Sequence, residues 1–268
     1  MTSPLVVPSR SAPDGEPVVA VSPESAGWEY VGFEVRRLAA GQKISLDATG
    51  RELCIVVLAG RVDVTSGSVQ FDGVGERPDV FSGPPAAVYS PPGEPLVVVA
   101  ADAAEIAVAS APADRAGAPD AYLVSPSEID VEVRGSGSTE RRIHPILMGD
   151  RPAQRLLVVE VLTPGGNWSS FPPHKHDVDN YPQETLLEET YYHRVSPPQG
   201  FAVQRVYTDD RELDETITVT DGDVVLVPRG YHPVGAVPGY DLYYLNVMAG
   251  PVRSWVFVND PDHEWLAK

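Results

Sequence analysis

Prolines and glycines set the first limit on this chain. There are 27 of one and 23 of the other in 268 residues, scattered along the whole length. Proline removes a backbone donor and fixes φ, and both residues break helices, so long helices and coiled coils are excluded. Between the breaks lie short runs rich in Val, Ile, Leu and Tyr. Leu53–Leu58, Arg61–Thr65, Ala86–Ser90, Leu96–Ala100 and Glu105–Ala109 read as strands in the first half. Arg155–Leu162, Glu189–Arg194, Phe201–Tyr207, Thr216–Thr220, Asp223–Val227, Asp241–Val247 and Ser254–Val258 read likewise in the second. No apolar stripe of helical period runs beyond about two turns. Many short strands with turn signals between them predict an all-β sandwich or barrel.

The length suits one large domain or two of roughly 130 residues. Two features favour two. The stretch from Ser110 to Gly137 is rich in Ala, Pro, Asp, Ser and Gly and reads as a linker. The halves also repeat faintly: Ala87-Val88-Tyr89-Ser90-Pro91-Pro92-Gly93 resembles Val224-Val225-Leu226-Val227-Pro228-Arg229-Gly230, and Glu52 and Glu189 each lead an apolar strand. We therefore expect a first barrel over residues 1–110, a linker over 111–143 and a second barrel over 144–268.

With 38 acids against 20 bases, the chain carries a net charge of −18. This disfavours nucleic acid and anionic lipid as partners. The excess is spread along the chain, without an acidic tail or basic arm. The most apolar window, Leu96–Ala111, is interrupted by Asp102 and Glu105 and cannot span a bilayer. One cysteine, Cys54, sits within an apolar strand; it excludes an internal disulfide and reads as an inert core thiol. The N-terminus lacks the basic and apolar stretches of a signal peptide. A cytoplasmic protein is expected. No phosphate-binding or dinucleotide-binding glycine motif occurs, so no nucleotide cofactor is expected.

The six histidines all fall after residue 143. In Pro172-Pro173-His174-Lys175-His176-Asp177, strand alternation points His174 and His176 the same way and Lys175 the other. A bare His-x-His is also common on solvated loops. Farther on, a turn, an apolar strand and a Pro-x-Gly turn lead to His232, at the mouth of the same barrel. With one carboxylate from between the two motifs, the set would suit a divalent first-row metal with open coordination positions.

Here the sequence resembles the cupin superfamily, and within it the 5-deoxy-glucuronate isomerases of myo-inositol catabolism. The resemblance is carried by Gly166-Asn167-Trp168-Ser169-Ser170-Phe171-Pro172-Pro173-His174-Lys175-His176-Asp177, by Glu188-Glu189-Thr190-Tyr191-Tyr192-His193-Arg194 and by Gln204–Arg211. It continues through Gly222–His232 and Pro238–Gly250. It implies an all-β bicupin: two jelly-roll barrels, the second holding the metal. In the first, Glu52 stands for the acid, but Leu46–Gly50 and the region near Pro95 offer no histidine.

The resemblance also implies the ligand set His174, His176, Glu189 and His232. Glu188, which faces the opposite way, and Glu184, in a loop, are the other acids nearby. Residues 177–187 would be an insertion beside the site, either a lid or a plain surface loop. Zinc is expected by similarity to the pectin-pathway 4-deoxy-5-ketouronate isomerases; manganese and iron also suit the set. Arg205, on a strand expected to line the barrel, is assigned to grip a substrate carboxylate, with a structural ion pair as the alternative. Tyr191, Tyr207 and Lys175 are assigned to substrate binding. Asp241, Tyr244 and His193 are the candidate catalytic residues, although Asp241 and Tyr244 occupy opposite faces of one strand and His193 also reads as an ordinary hydrogen-bonded histidine. The implied reaction converts 5-deoxy-D-glucuronate into 5-dehydro-2-deoxy-D-gluconate, with a small sugar acid as the only partner besides a second copy of the chain. The rival readings are the pectin-pathway isomerase, a cupin dioxygenase and a non-catalytic sugar-acid-binding cupin.

Overall fold

The computed structural model describes residues 3–267. They build two antiparallel sandwiches that share a central core. In the first, a six-stranded sheet runs Tyr122–Val124, Ala87–Ser90, Arg51–Ala59, Ala104–Pro112, Gly32–Leu38, Pro17–Val21. It faces a four-stranded sheet running Lys43–Leu46, Leu96–Ala100, Val62–Ser66, Val69–Val74. In the second, a seven-stranded sheet runs Val6–Val7, Val224–Val227, Glu188–Ser196, Asp241–Ala249, Leu157–Thr163, Arg141–Leu147, Glu132–Arg134. Its four-stranded partner runs Trp168–Ser169, Val234–Ala236, Phe201–Tyr207, Asp214–Thr220.

The two large sheets pack back to back. Phe33, Val56 and Tyr89 of one half share an apolar cluster with Ile146, Tyr192, Tyr243 and Leu245 of the other. Each sandwich also encloses a cluster of its own. Strands such as Arg51–Ala59 are therefore covered on both faces, which explains why they read as continuous apolar runs without alternation. Cys54 lies in the shared cluster. Burial and the nearby Glu52 charge push its thiol up to about 12, so it is inert.

The expected boundaries need correction. Residues 111–143 are not a free linker: Tyr122–Val124 extends the first large sheet and Glu132–Arg134 extends the second. Val6–Val7 crosses over to pair with Val224–Val225 in the second sandwich. Ser254–Val258 is not a strand; only Val258–Asn259 pairs, with His174–Lys175. Two strands that sequence reading missed, Gly32–Leu38 and Arg141–Leu147, contain paired arginines that obscured the apolar alternation. The second also carries Pro145, which sits where its pairing register shifts, a position that tolerates proline.

Buried carboxylates tie the halves together. Glu52 is fully buried and accepts the backbone N–H groups of Gln154, Arg155 and Leu156 at 2.7–2.8 Å, with Tyr89 Oη as a fourth donor. Glu188 makes the reciprocal set, accepting from Glu29, Tyr30 and Val31. The registers explain this symmetry. Leu53 pairs with Ser90 and Glu189 with Val227, each partner immediately preceding a proline. Glu52 is therefore the counterpart of Glu188, and Leu53 stands at the position of Glu189. The expectation that Glu52 retains the metal-site acid is thus corrected.

Candidate metal centre

His174, His176 and His232 converge inside the second barrel, with a ring nitrogen from each within 4.8 Å of the others. His174 opens the short strand His174–Lys175, which follows Pro172 and Pro173, and His176 comes directly after it. His232 follows the turn Pro228-Arg229-Gly230. Gly230 has φ 90°, and a Cβ there would lie 2.3 Å from the Tyr207 carbonyl oxygen, so both conformation and space require glycine. Its carbonyl in turn accepts from His232 Nδ1 at 2.8 Å.

These hydrogen bonds determine which nitrogens face inward. His232 Nδ1–H donates to Gly230 and His176 Nδ1–H to the Leu187 carbonyl at 3.2 Å, so each Nε2 is the nitrogen directed at the cluster. His232 Nε2 is buried without a hydrogen-bond partner. Glu189 Oε2 lies 3.1 Å from His176 Nε2 and 3.2 Å from His232 Nε2. An imidazole nitrogen facing a carboxylate oxygen at that distance requires a proton or a cation between them: His176 Nε2 shares a hydrogen bond with Glu189, and His232 Nε2 has none. Burial, reinforced by the neighbouring imidazoles, pushes His174 and His232 down to about 3, so both are neutral at pH 7. Burial acts on His176 too, but its hydrogen bond to Glu189 and that carboxylate's charge outweigh it and hold His176 above its ordinary value. The donor set fits a divalent first-row cation.

His174 and Glu189 form one side of a cavity of about 140 Å³. Tyr191, Tyr244, Asn246, Ser170 and Trp255 line it with polar and aromatic groups, and Arg141 and Arg134 also border it. Ser170 holds φ 50°, an uncommon conformation for a residue with a Cβ, and its hydroxyl bonds Tyr191 Oη at 2.8 Å. A larger open groove of about 550 Å³ beside the first sandwich contains no histidine.

Comparison with known proteins gives this arrangement a family. A sequence model of the KduI/IolB family matches residues 5–266. The chain belongs to the KduI/IolB family. It is 55% identical over 263 residues to the 5-deoxy-glucuronate isomerase of Geobacillus kaustophilus, covering 98% of this chain and 95% of that protein. It is 46% identical over 248 residues to the enzyme of the same name from Bacillus subtilis strain 168, covering 92% and 91%. The crystal structure of an IolB-like protein from Salmonella typhimurium LT2 superposes with a TM-score of 0.96 at 47% identity, over 99% of this chain and 100% of that one. An oxalate decarboxylase from Lactobacillus farciminis shares the fold with a TM-score of 0.66 at 16% identity, covering 100% and 91%. The chain is an all-β bicupin.

Against this KduI/IolB frame, the expected site residues divide. Tyr191 and Tyr244 line the cavity with ring centroids 4.9 Å apart. Burial holds Tyr191 well above the ordinary phenol range and also raises Tyr244, so both stay protonated at neutral pH. His193 lies behind Tyr191, ring centroids 5.8 Å apart, with Nε2 against Gln204 Oε1 at 3.0 Å. It is not part of the cavity wall.

Four others are not brought to the cavity. Arg205 faces outward and is held by Asp214 at 2.7–2.8 Å, because strand alternation turns Gln204 inward instead. Tyr207 Oη donates to Asp260 at 2.6 Å, away from the cavity. Lys175 binds Asp177 at 2.6 Å and Glu184 at 3.3 Å. Asp241 is exposed at its strand's start, accepting from Gly165 N at 2.9 Å. The 177–187 segment is tied down rather than loose. Glu184 accepts from the backbone of Asp177 and Val178, and Asp177 accepts from Gly230 N. The wall residues Arg141 and Trp255 were missed. Arg141 lay in a segment read as linker, and Trp255 in one read as strand.

Proposed function

We infer that this chain is a metal-dependent 5-deoxy-glucuronate isomerase, converting 5-deoxy-D-glucuronate into 5-dehydro-2-deoxy-D-gluconate in the cytoplasm. The observation that carries this reading is 55% identity over nearly the whole chain to an isomerase of that name, combined with a buried three-histidine cluster whose His174, with Glu189, borders a small and largely apolar cavity. In this reading His174, His176, His232 and Glu189 hold one divalent ion, with zinc first and manganese or iron next. When bound, such an ion supplies Lewis acidity to the substrate's C1 carbonyl.

The reaction moves the carbonyl from C1 to C2, so a proton leaves C2 and one arrives at C1. The protonated phenols of Tyr191 and Tyr244 serve as hydrogen-bond donors to the substrate's oxygens rather than as bases. Asn246 adds an amide to the same wall. Together they orient the sugar and exclude water beside C1 and C2.

Elemental analysis of the purified protein, followed by NMR of the uronate incubated with it, tests the reading. The expected result is about one divalent ion per chain and formation of the ketose. His232→Ala should lose metal stoichiometry and turnover while keeping its β-type circular dichroism. Full activity of that variant after chelation would refute the assigned site. Deuterium from heavy water appearing at C1 would mark proton transfer; its absence would mark a hydride shift.

A further inference from the structure

The substrate in this reading has two distinct ends, and the histidine cluster accounts for only one. A six-carbon uronate carries a carboxylate at C6, opposite the reacting carbonyl. The residue expected to hold it, Arg205, is already paired with Asp214 outside the barrel. Some other cation must face the cavity.

Arg141 meets that requirement. It opens the strand Arg141–Leu147, where alternation turns Arg141, Ile143 and Pro145 toward the cavity and leaves Arg142 exposed. Its Nη1 donates to the Thr139 carbonyl at 3.0 Å, which fixes the guanidinium without neutralising it. Among the described residues no carboxylate oxygen comes within 4.0 Å of it. The neighbouring strand supplies a contrast. Arg134 pairs directly opposite Arg141, an arrangement in which like charges repel. Arg134 is paired with Glu132 at 2.6 Å on its own strand, and both border the cavity, so Arg141 is the cavity-lining arginine without an acid partner among the described residues.

The surroundings support the assignment. Arg141 is half-buried, and both burial and the charge of Arg134 hold it below its ordinary value. His174, Glu189 and Arg141 border one small cavity, so an anion-binding fork and part of the metal-type donor set face the same space.

We propose that Arg141 is the specificity-determining residue of this site, binding the C6 carboxylate of the uronate through its free guanidinium edge while the aldehyde end meets the histidine cluster. The proposal rests on the isomerase reading. It makes the enzyme selective for uronic acids over neutral aldoses of the same length, because an amide or alcohol at C6 would leave a half-buried charge unmatched.

The test compares the acid with its C6 primary amide for wild type, Arg141→Lys and Arg141→Met, at matched metal content. Arg141→Met should raise KM for the acid by about 10- to 100-fold, the range of charge-assisted hydrogen bonds, and should abolish the preference for acid over amide. Arg141→Lys should restore part of that preference, since it keeps the charge but not the planar fork. Calorimetry gives a readout free of turnover. The hydroxy acid made by reducing the C1 aldehyde cannot isomerise, and its affinity should fall by a similar factor in Arg141→Met. A variant that keeps wild-type discrimination between acid and amide overturns the assignment alone. Wild-type protein that fails to isomerise the uronate overturns the functional reading, and this assignment with it.

Discussion

At the residue scale, two arginines with the same formal charge have opposite surroundings. Arg205 lies on the outer face of its strand, its side chain 40% exposed, with the Nε–Nη2 edge committed to Asp214 and its plane over the Tyr207 ring at 4.3 Å. Arg141 has no acid partner among the described residues and borders the cavity. Arg205→Ala is therefore expected to change KM for the uronate by less than about twofold. The stability loss should be at most about 1 kcal/mol, the worth of an exposed ion pair. Steady-state kinetics beside a urea titration would measure both, and a tenfold rise in KM would return Arg205 to the site. The identity of a strand is readable from sequence, but its phase is not when both faces carry polar residues. Phe201–Tyr207 alternates Gln204 against Arg205, and nothing in the chain alone says which is inside.

At the element scale, the site depends on turns more than on strands. The Pro228-Arg229-Gly230 turn ends one strand, bridges back through Tyr231 to Tyr207, and presents the carbonyl that fixes the His232 tautomer. Gly230→Ala would place a methyl group 2.3 Å from the Tyr207 carbonyl at positive φ, forcing the turn to move. The expected outcome is a loss of metal affinity of at least about tenfold, as for other changes to groups that orient ligands. Competition with a chromophoric chelator would measure it; an unchanged affinity would show that the tautomer is set elsewhere. The histidines at 174, 176 and 232 were legible because their spacing and flanking prolines are local signals. The strand Arg141–Leu147 was not, since adjacent arginines and Pro145 mask its period. Glu52 was misread by one residue, because the repeat that relates it to Glu188 rather than Glu189 shows only in the pairing register.

At the scale of the whole molecule, a net charge of −18 opposes an anionic substrate, and local positive groups must overcome it. The same excess of acid is put to structural use between the halves. Glu160 is wholly buried and receives Arg77 through Nη1 and Nη2 at 2.9 and 3.0 Å. His144 Nδ1 at 2.7 Å and Tyr243 Oη at 2.8 Å complete the network, so His144 serves the core rather than the site. Arg77 comes from the first half and the other three from the second, which makes the cluster a lock between sandwiches. Burial alone would raise the Glu160 carboxyl, but Arg77 and the donated hydrogen bonds outweigh it and hold it below its ordinary value. Glu160→Gln would leave Arg77 buried against a neutral amide, and a loss of about 3–5 kcal/mol is expected. For a chain of this size the melting midpoint should fall on the order of 10 °C. The sign of the pH dependence follows from the direction of the shift. A depressed carboxyl contributes its full stability above its unfolded pKa of about 4.3 and loses it as pH falls through the folded value. The difference between wild type and Glu160→Gln should hold steady from pH 7 to about 5 and narrow below about 4. Denaturation midpoints across that range would follow it. A gap that stayed constant down to pH 3 would mean that the loss comes from packing rather than from the charge of Glu160.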